Sequence, residues 1–209
     1  MSKTVLRTAG LAASFVLAAA ASPVVYTFTL PNATGTLNGT PFSHATVTLQ
    51  FQSDTASITN PSSGVFQTPT GIAGTFSIAG GASGTITTTN YRIYANQNAN
   101  ATGCLLASAG IGSANPGDYL DSCNAAFATY SLQSPFGPVT ATYANVNDNG
   151  PLPTSAGPLA ITGTNSPVFT AAPGTLPPGT PAPPSLWLAL AGCIAILAYA
   201  LLARRRTYA

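Results

Sequence analysis

Apolar side chains recur at every second position through much of this chain, and that period decides what it can fold into. Ala45, Val47, Leu49 and Phe51 alternate with Thr46, Thr48 and Gln50, and Tyr26, Phe28 and Leu30 alternate with Thr27 and Thr29. Successive side chains of a strand point to opposite faces, so such a pattern sets one row in a core and the other in water. The theme continues through Phe76 and Ile78, Ile86, Tyr91 and Ile93, then Ala126, Ala128, Tyr130 and Leu132, then Val139, Ala141 and Tyr143, and last Leu159 and Ile161. Threonine fills many outward positions, where its branched Cβ suits a pleated surface. Turn chemistry separates the segments: Pro31-Asn32, Asn38-Gly39, Asn60-Pro61, Gly80-Gly81, Asn115-Pro116-Gly117-Asp118 and Asn149-Gly150. No window between Val24 and Thr164 carries a helical period. The expectation is an all-β domain, an antiparallel sandwich or jelly roll of about eight to ten strands.

The two ends have a different character. Lys3 and Arg7 precede a short apolar run, Ala9 to Ala20, and Ala19-Ala20-Ala21 supplies small residues for signal peptidase, so residues 1–21 read as a signal peptide. At the other end a Pro-rich stretch leads into an uncharged apolar segment, Leu186 to Ala203, followed by Arg204, Arg205 and Arg206. Eighteen residues at ~1.5 Å each make a helix of ~27 Å, enough for a hydrocarbon core of ~30 Å. The arginines hold its far end on the cytoplasmic side. One C-terminal transmembrane helix, acting as an anchor or an address label, is therefore expected.

This tail resembles the PEP-CTERM sorting signal of Gram-negative bacteria: a proline motif, a membrane helix and a terminal arginine cluster. The matching residues are Pro181, Ala182 and Pro183, the apolar run from Leu186, and Arg204 to Arg206, with Ala182 standing where that family carries glutamate. The resemblance covers only about the last 30 residues. It implies recognition by an exosortase-type membrane protease, anchorage in the inner membrane before processing, and residence at the cell surface or in extracellular polymer afterwards. The expected organisation is a signal peptide at 1–21, an all-β domain at 22–165, a Pro-rich spacer and sorting motif at 166–185, a transmembrane helix at 186–203 and an Arg-rich tail at 204–209.

Between the two ends, charge is scarce. From Ser22 to Thr180 the only cation is Arg92 and the only anions are Asp54, Asp118, Asp121 and Asp148, a net 1 − 4 = −3. Phosphate binding needs several Lys or Arg on one face, so a nucleic-acid partner is excluded. Cys104 and Cys123 are the only cysteines of that region. An oxidising compartment favours bridging them, closing a loop of 123 − 104 = 19 residues worth roughly 3 kcal/mol in the chain-entropy model.

Catalytic chemistry finds few residues to use. His44 is the only histidine, no serine sits in a nucleophile elbow, and the chain contains no glutamate. One histidine and two bridged cysteines make no zinc site, and no cofactor is implied. Asn145 to Gly150 has the polar spacing of a calcium loop but lacks its carboxylates. Asp118 and Asp121, read as three apart in a turn near Cys123, are a weak metal candidate. Sugar binding would use Tyr91, Tyr94, Tyr119, Tyr130 or Tyr143, most of which fall on the core side of the alternation. The sequence thus points to an exported, non-enzymatic surface or matrix protein, or alternatively to a carbohydrate-binding module acting on exopolysaccharide.

Overall fold

The structure is a computed structural model, and it describes residues 23–87, 89–98, 105–113, 118–146 and 150–174. These residues all lie in the unit Ala21–Thr180. They form two antiparallel sheets in a sandwich-like all-β arrangement. Among the described residues no helix is long and apolar enough to cross a membrane. The expected signal peptide, sorting motif (Pro181, Ala182, Pro183), membrane span and Arg204–Arg206 cluster lie outside the described residues.

The chain begins with a long hairpin, β1 (Pro23–Leu37) and β2 (Thr40–Asp54). Its turn is Asn38-Gly39, with φ of 50° and 79°, the left-handed pair that a tight two-residue hairpin requires and that Asn-Gly supplies. Then follow β3 (Thr59–Ser62), β4 (Val65–Gln67), β5 (Gly74–Ile78), β6 (Ser83–Ile86), β7 (Tyr91–Asn96), β8 (Ser108–Ser113) and β9 (Asp118–Cys123). The last four are β10 (Phe136–Thr140), β11 (Tyr143–Val146), β12 (Leu159–Gly163) and β13 (Val168–Pro173). The first sheet runs β10-β13-β1-β2-β5-β6, with β12 also paired to β1; the second runs β11-β9-β8-β7-β4-β3. Successive hairpins thus alternate between the sheets: β1–β2 in one, β3–β4 in the other, β5–β6 back in the first.

One buried cluster draws on both sheets. Tyr26, Phe28, Leu30, Val47, Leu49, Phe51, Phe76 and Ile78 come from the first, and Ile93, Ala95, Ala109, Ile111 and Leu120 from the second. Phe169 on β13 sits among rings, 5.0 Å from Phe28, 5.5 Å from Phe127 and 5.6 Å from Tyr130 between centroids. Each such side chain removed from water stabilises the fold by about 1.5–3 kcal/mol, the main term holding the sheets together.

Several expectations are corrected. Thirteen strands are present among the described residues rather than eight to ten, because short edge strands and the Gly-rich β8 carry no visible alternation. Residues 166–185 are not all spacer: β13 lies within them, pairing Val24 with Pro173 and Phe28 with Phe169. Its prolines mark the borders of a strand, and Phe169 and Ala171 keep the two-residue period. Pro31-Asn32 makes no turn; it is a bulge inside β1, after which the buried positions change parity from Leu30 to Ala33. Ala125–Thr129 is a 3-10 turn, not a strand, capped by Asn124, whose side chain accepts from the Ala126 amide. The buried residues there, Phe127 and Tyr130, are three apart, as that geometry demands.

Candidate functional site

The described charges are concentrated on one face. Arg92, Asp118 and Asp121 sit on the outward side of the second sheet, on β7 and β9, and only Asp54 lies elsewhere. Asp118 and Asp121 stand on a strand, not in the expected turn. Residues three apart on a regular strand point to opposite faces. Here the register of β9 shifts by one between Leu120, opposite Ile111, and Asp118, opposite Gly112. Tyr119 is the extra residue, so the bulge turns both carboxylates to the same side.

Glycine completes the arrangement. Tyr94 of β7 pairs with Gly110 of β8, which pairs with Asp121 of β9. With no side chains at Gly110 and Gly112, the Tyr94 ring lies over β8 and its hydroxyl donates to Asp118 Oδ2 at 3.0 Å. A Cβ at Gly110 would meet the Tyr94 hydroxyl at 2.7 Å and collide with the Leu120 carbonyl oxygen. Burial, then Asp121, then Asp118, push the Tyr94 phenol well above its ordinary pKa of 10.0. A phenol so placed is a fixed donor to carboxylates and will not ionise near neutrality. Among the described residues no three His, Cys, Asp or Glu side chains come together to hold a metal. Asp118 and Asp121 share the Tyr94 hydroxyl as a donor, which links β7 to β9.

His44 lies on the other sheet, exposed on β2, with Nδ1 2.7 Å from Asn32 Oδ1. Cys123 is buried, 2% exposed. Cys104 lies outside the described residues, as do Asn147 to Asn149 of the calcium-like stretch. Tyr91, Tyr94, Tyr119 and Tyr130 are buried, whereas Tyr143 is 57% exposed. Tyr143 lines an apolar hollow of about 510 Å³ with Leu105, Leu106, Cys123 and Thr142.

The outward face of the first sheet is of another kind. The pairing sets Thr27, Gln50, Thr75 and Thr85 in one row across β1, β2, β5 and β6, and Thr29, Thr48, Ser77 and Ser83 in the next. Two adjoining hollows of about 430 and 300 Å³ lie along β2, β5 and β6 and share Gln50, Thr75 and Thr85. Together they make a trough. Gln50 Nε2 donates to Thr27 Oγ1 at 3.4 Å, while the hydroxyls of Thr48, Thr75, Ser77, Ser83 and Thr85 make no side-chain hydrogen bond among the described residues. The face carries no charge until Asp54 at the end of β2, and that carboxylate caps the next turn through the Ala56 amide at 2.9 Å. Sequence alternation marks these threonines as outward, but only the register shows that they align into rows.

No family model, curated protein or solved structure matches this chain.

Proposed function

We propose that this is an exported cell-surface or extracellular-matrix protein of a Gram-negative bacterium, with a structural or adhesive role in a biofilm-type matrix and no catalytic activity. The observation that carries the reading is the pair of terminal signals around an all-β domain. Residues 1–21 direct export. Pro181-Ala182-Pro183, the Leu186–Ala203 span and Arg204–Arg206 hold the chain in the inner membrane until an exosortase-type protease releases it. The domain's chemistry fits such a role: its histidine is bonded to an asparagine, and its described aspartates cap a turn or flank a buried tyrosine. What it presents to partners is hydroxyl and amide, and each neutral hydrogen bond nets only about 0.5–1.5 kcal/mol against water. Useful adhesion then comes from many contacts or many copies.

The mature form also carries a Cys104–Cys123 disulfide in this reading, tying the chain before β8 to the end of β9. The alternative, a carbohydrate-binding module for exopolysaccharide, is favoured by one feature, the uncharged trough on β2, β5 and β6.

Intact-mass measurement on the protein recovered from the cell surface and medium tests the reading. The expected mass starts at Ser22 and lacks Leu186 to Ala209. A cytoplasmic protein that keeps residues 1–21 overturns it, and a surface form that keeps the whole tail reduces the tail to a plain anchor.

A further inference from the structure

The trough on the first sheet is long, uncharged and rich in unengaged hydroxyls, and its surroundings narrow what can lie in it. A protein strand would need an open edge, yet the outer edge of β6 is covered. Thr87 N donates to Pro153 O at 3.0 Å and Ser155 N to Thr85 O at 2.9 Å. The opposite edge strand of that sheet, β10, carries Pro138, which has no amide to offer a neighbouring chain. An apolar protein surface would need large anchoring side chains. The two exposed large apolar residues among those described, Leu105 and Tyr143, belong to the hollow by Cys123 instead. A charged polymer would meet no counter-charge in rows made of Thr, Ser and Gln.

We propose that this face binds a neutral polysaccharide lying across the strands, an inference that rests on the matrix reading above and names its ligand class and site. Neighbouring strands stand about 4.8 Å apart, close to the length one sugar ring occupies in an extended glycan. A chain running from Thr27 through Gln50 and Thr75 to Thr85 therefore meets one hydrogen-bonding side chain per sugar. The second row, Thr29, Thr48, Ser77 and Ser83, lies two residues along each strand, about 6.7 Å away, and meets the hydroxyls on the other edge of the same ribbon. Hydroxyls both donate and accept, as sugar hydroxyls do, so either direction of the chain can be satisfied. Threonine methyl groups and Val25 between them give the apolar faces of the sugar rings a surface to lie on.

Affinity electrophoresis of the full chain in mild detergent tests this, with gels containing hydroxyethylcellulose, dextran or galactomannan, or the anionic polymer alginate. The variant is T48V/T75V/T85V, which removes three hydroxyls while keeping side-chain shape and strand preference. Retardation is expected in at least one neutral gel. It should persist as NaCl rises from about 50 to about 500 mM, over which charge attraction is screened, and fall at least twofold in the variant. Melting temperature should stay within a few degrees, showing that the variant is folded; should it fail to fold, Q50A alone carries the test. Retardation in alginate only, none in any neutral gel, a steep loss with salt, or full retention by the folded variant each overturns the proposal. So does wild-type dimerisation that the variant abolishes, because the occupant is then a second copy. Mass analysis of the exported form judges the matrix reading separately: correct processing with no retardation removes the trough proposal alone.

Discussion

His44 Nδ1 and Asn32 Oδ1 meet at 2.7 Å between two strands that each contain an extra residue at that point. Leu30 faces Val47, Ala33 faces Ala45 and Gly35 faces Phe42, so β1 bulges first and β2 answers with a bulge of its own. The two insertions cancel, and the hairpin returns to register before its turn. Asn32 and His44 both have positive φ, 52° and 54°. Asparagine tolerates that conformation, whereas a branched residue is strained there by about 1–2 kcal/mol. His44→Val is therefore expected to lower unfolding free energy by about that amount and His44→Gly by far less, read from urea midpoints at unchanged slope. A larger loss for glycine would show that the side-chain contact dominates the backbone term.

The seat of Tyr94 over the β8 glycines predicts two further losses. Gly110→Ala forces its methyl against the Leu120 carbonyl and the Tyr94 hydroxyl, an overpacking worth about 1–3 kcal/mol. Tyr94→Phe removes the donor to Asp118, worth about 1.5–3 kcal/mol for a bond to a charged acceptor. Both changes touch the same contact, so the double variant should lose less than the two single losses added together. Additivity in thermal melts would mean that ring and glycine do not meet.

Alkaline pH should unfold the domain cooperatively. Burial is the chief cause raising the phenols of Tyr26, Tyr91, Tyr94, Tyr119 and Tyr130 above the ordinary 10.0. The folded state therefore keeps protons that the unfolded chain releases. This stability is fully present below pH about 10 and is lost as pH rises above it. Ultraviolet absorbance of phenolate and circular dichroism should then change together above pH 10. Titration of these tyrosines in a domain that stays folded would contradict their burial.

Non-reducing peptide mapping of protein recovered from the cell surface or medium is expected to give one linked peptide joining Cys104 and Cys123. Cys104→Ser should lower stability by roughly 3 kcal/mol on the chain-entropy model. Alkylation of both thiols without prior reduction would exclude the bridge.

The sheets were legible where one face is buried and the other wet. Val47, Leu49 and Phe51 are buried with Thr48 and Gln50 outward, as their alternation predicts, and Asn38-Gly39 forms the turn its chemistry demands. β8 was not legible, because both faces of Ser108–Ser113 are covered and glycine stands where the Tyr94 ring needs room. β13 was hidden by its prolines. Asp118 and Asp121 could be picked out as a pair, but their common face depends on a bulge at Tyr119 that no periodicity announces. Tyr94, which links them, lies on the outward side of its strand and is buried all the same, so a two-state pattern of inside and outside had no place for it.

β1 lies between β2 and β13, and the Gly174 amide donates back to Pro23 O at 2.8 Å. The first and last described strands are thus neighbours, with nearly the whole domain between them in sequence. A chain threaded through a membrane from its N-terminus can close the β1–β2 hairpin early, since that pairing is local. The other side of β1 must wait for β12 at Thr34–Leu37 and, last of all, for β13 at Val24–Thr29. Val24, Tyr26 and Phe28 then gain their last covering just as the segment leading to the tail emerges. Under the export proposed above, strand order would work as a timer, delaying closure until the final strand has crossed.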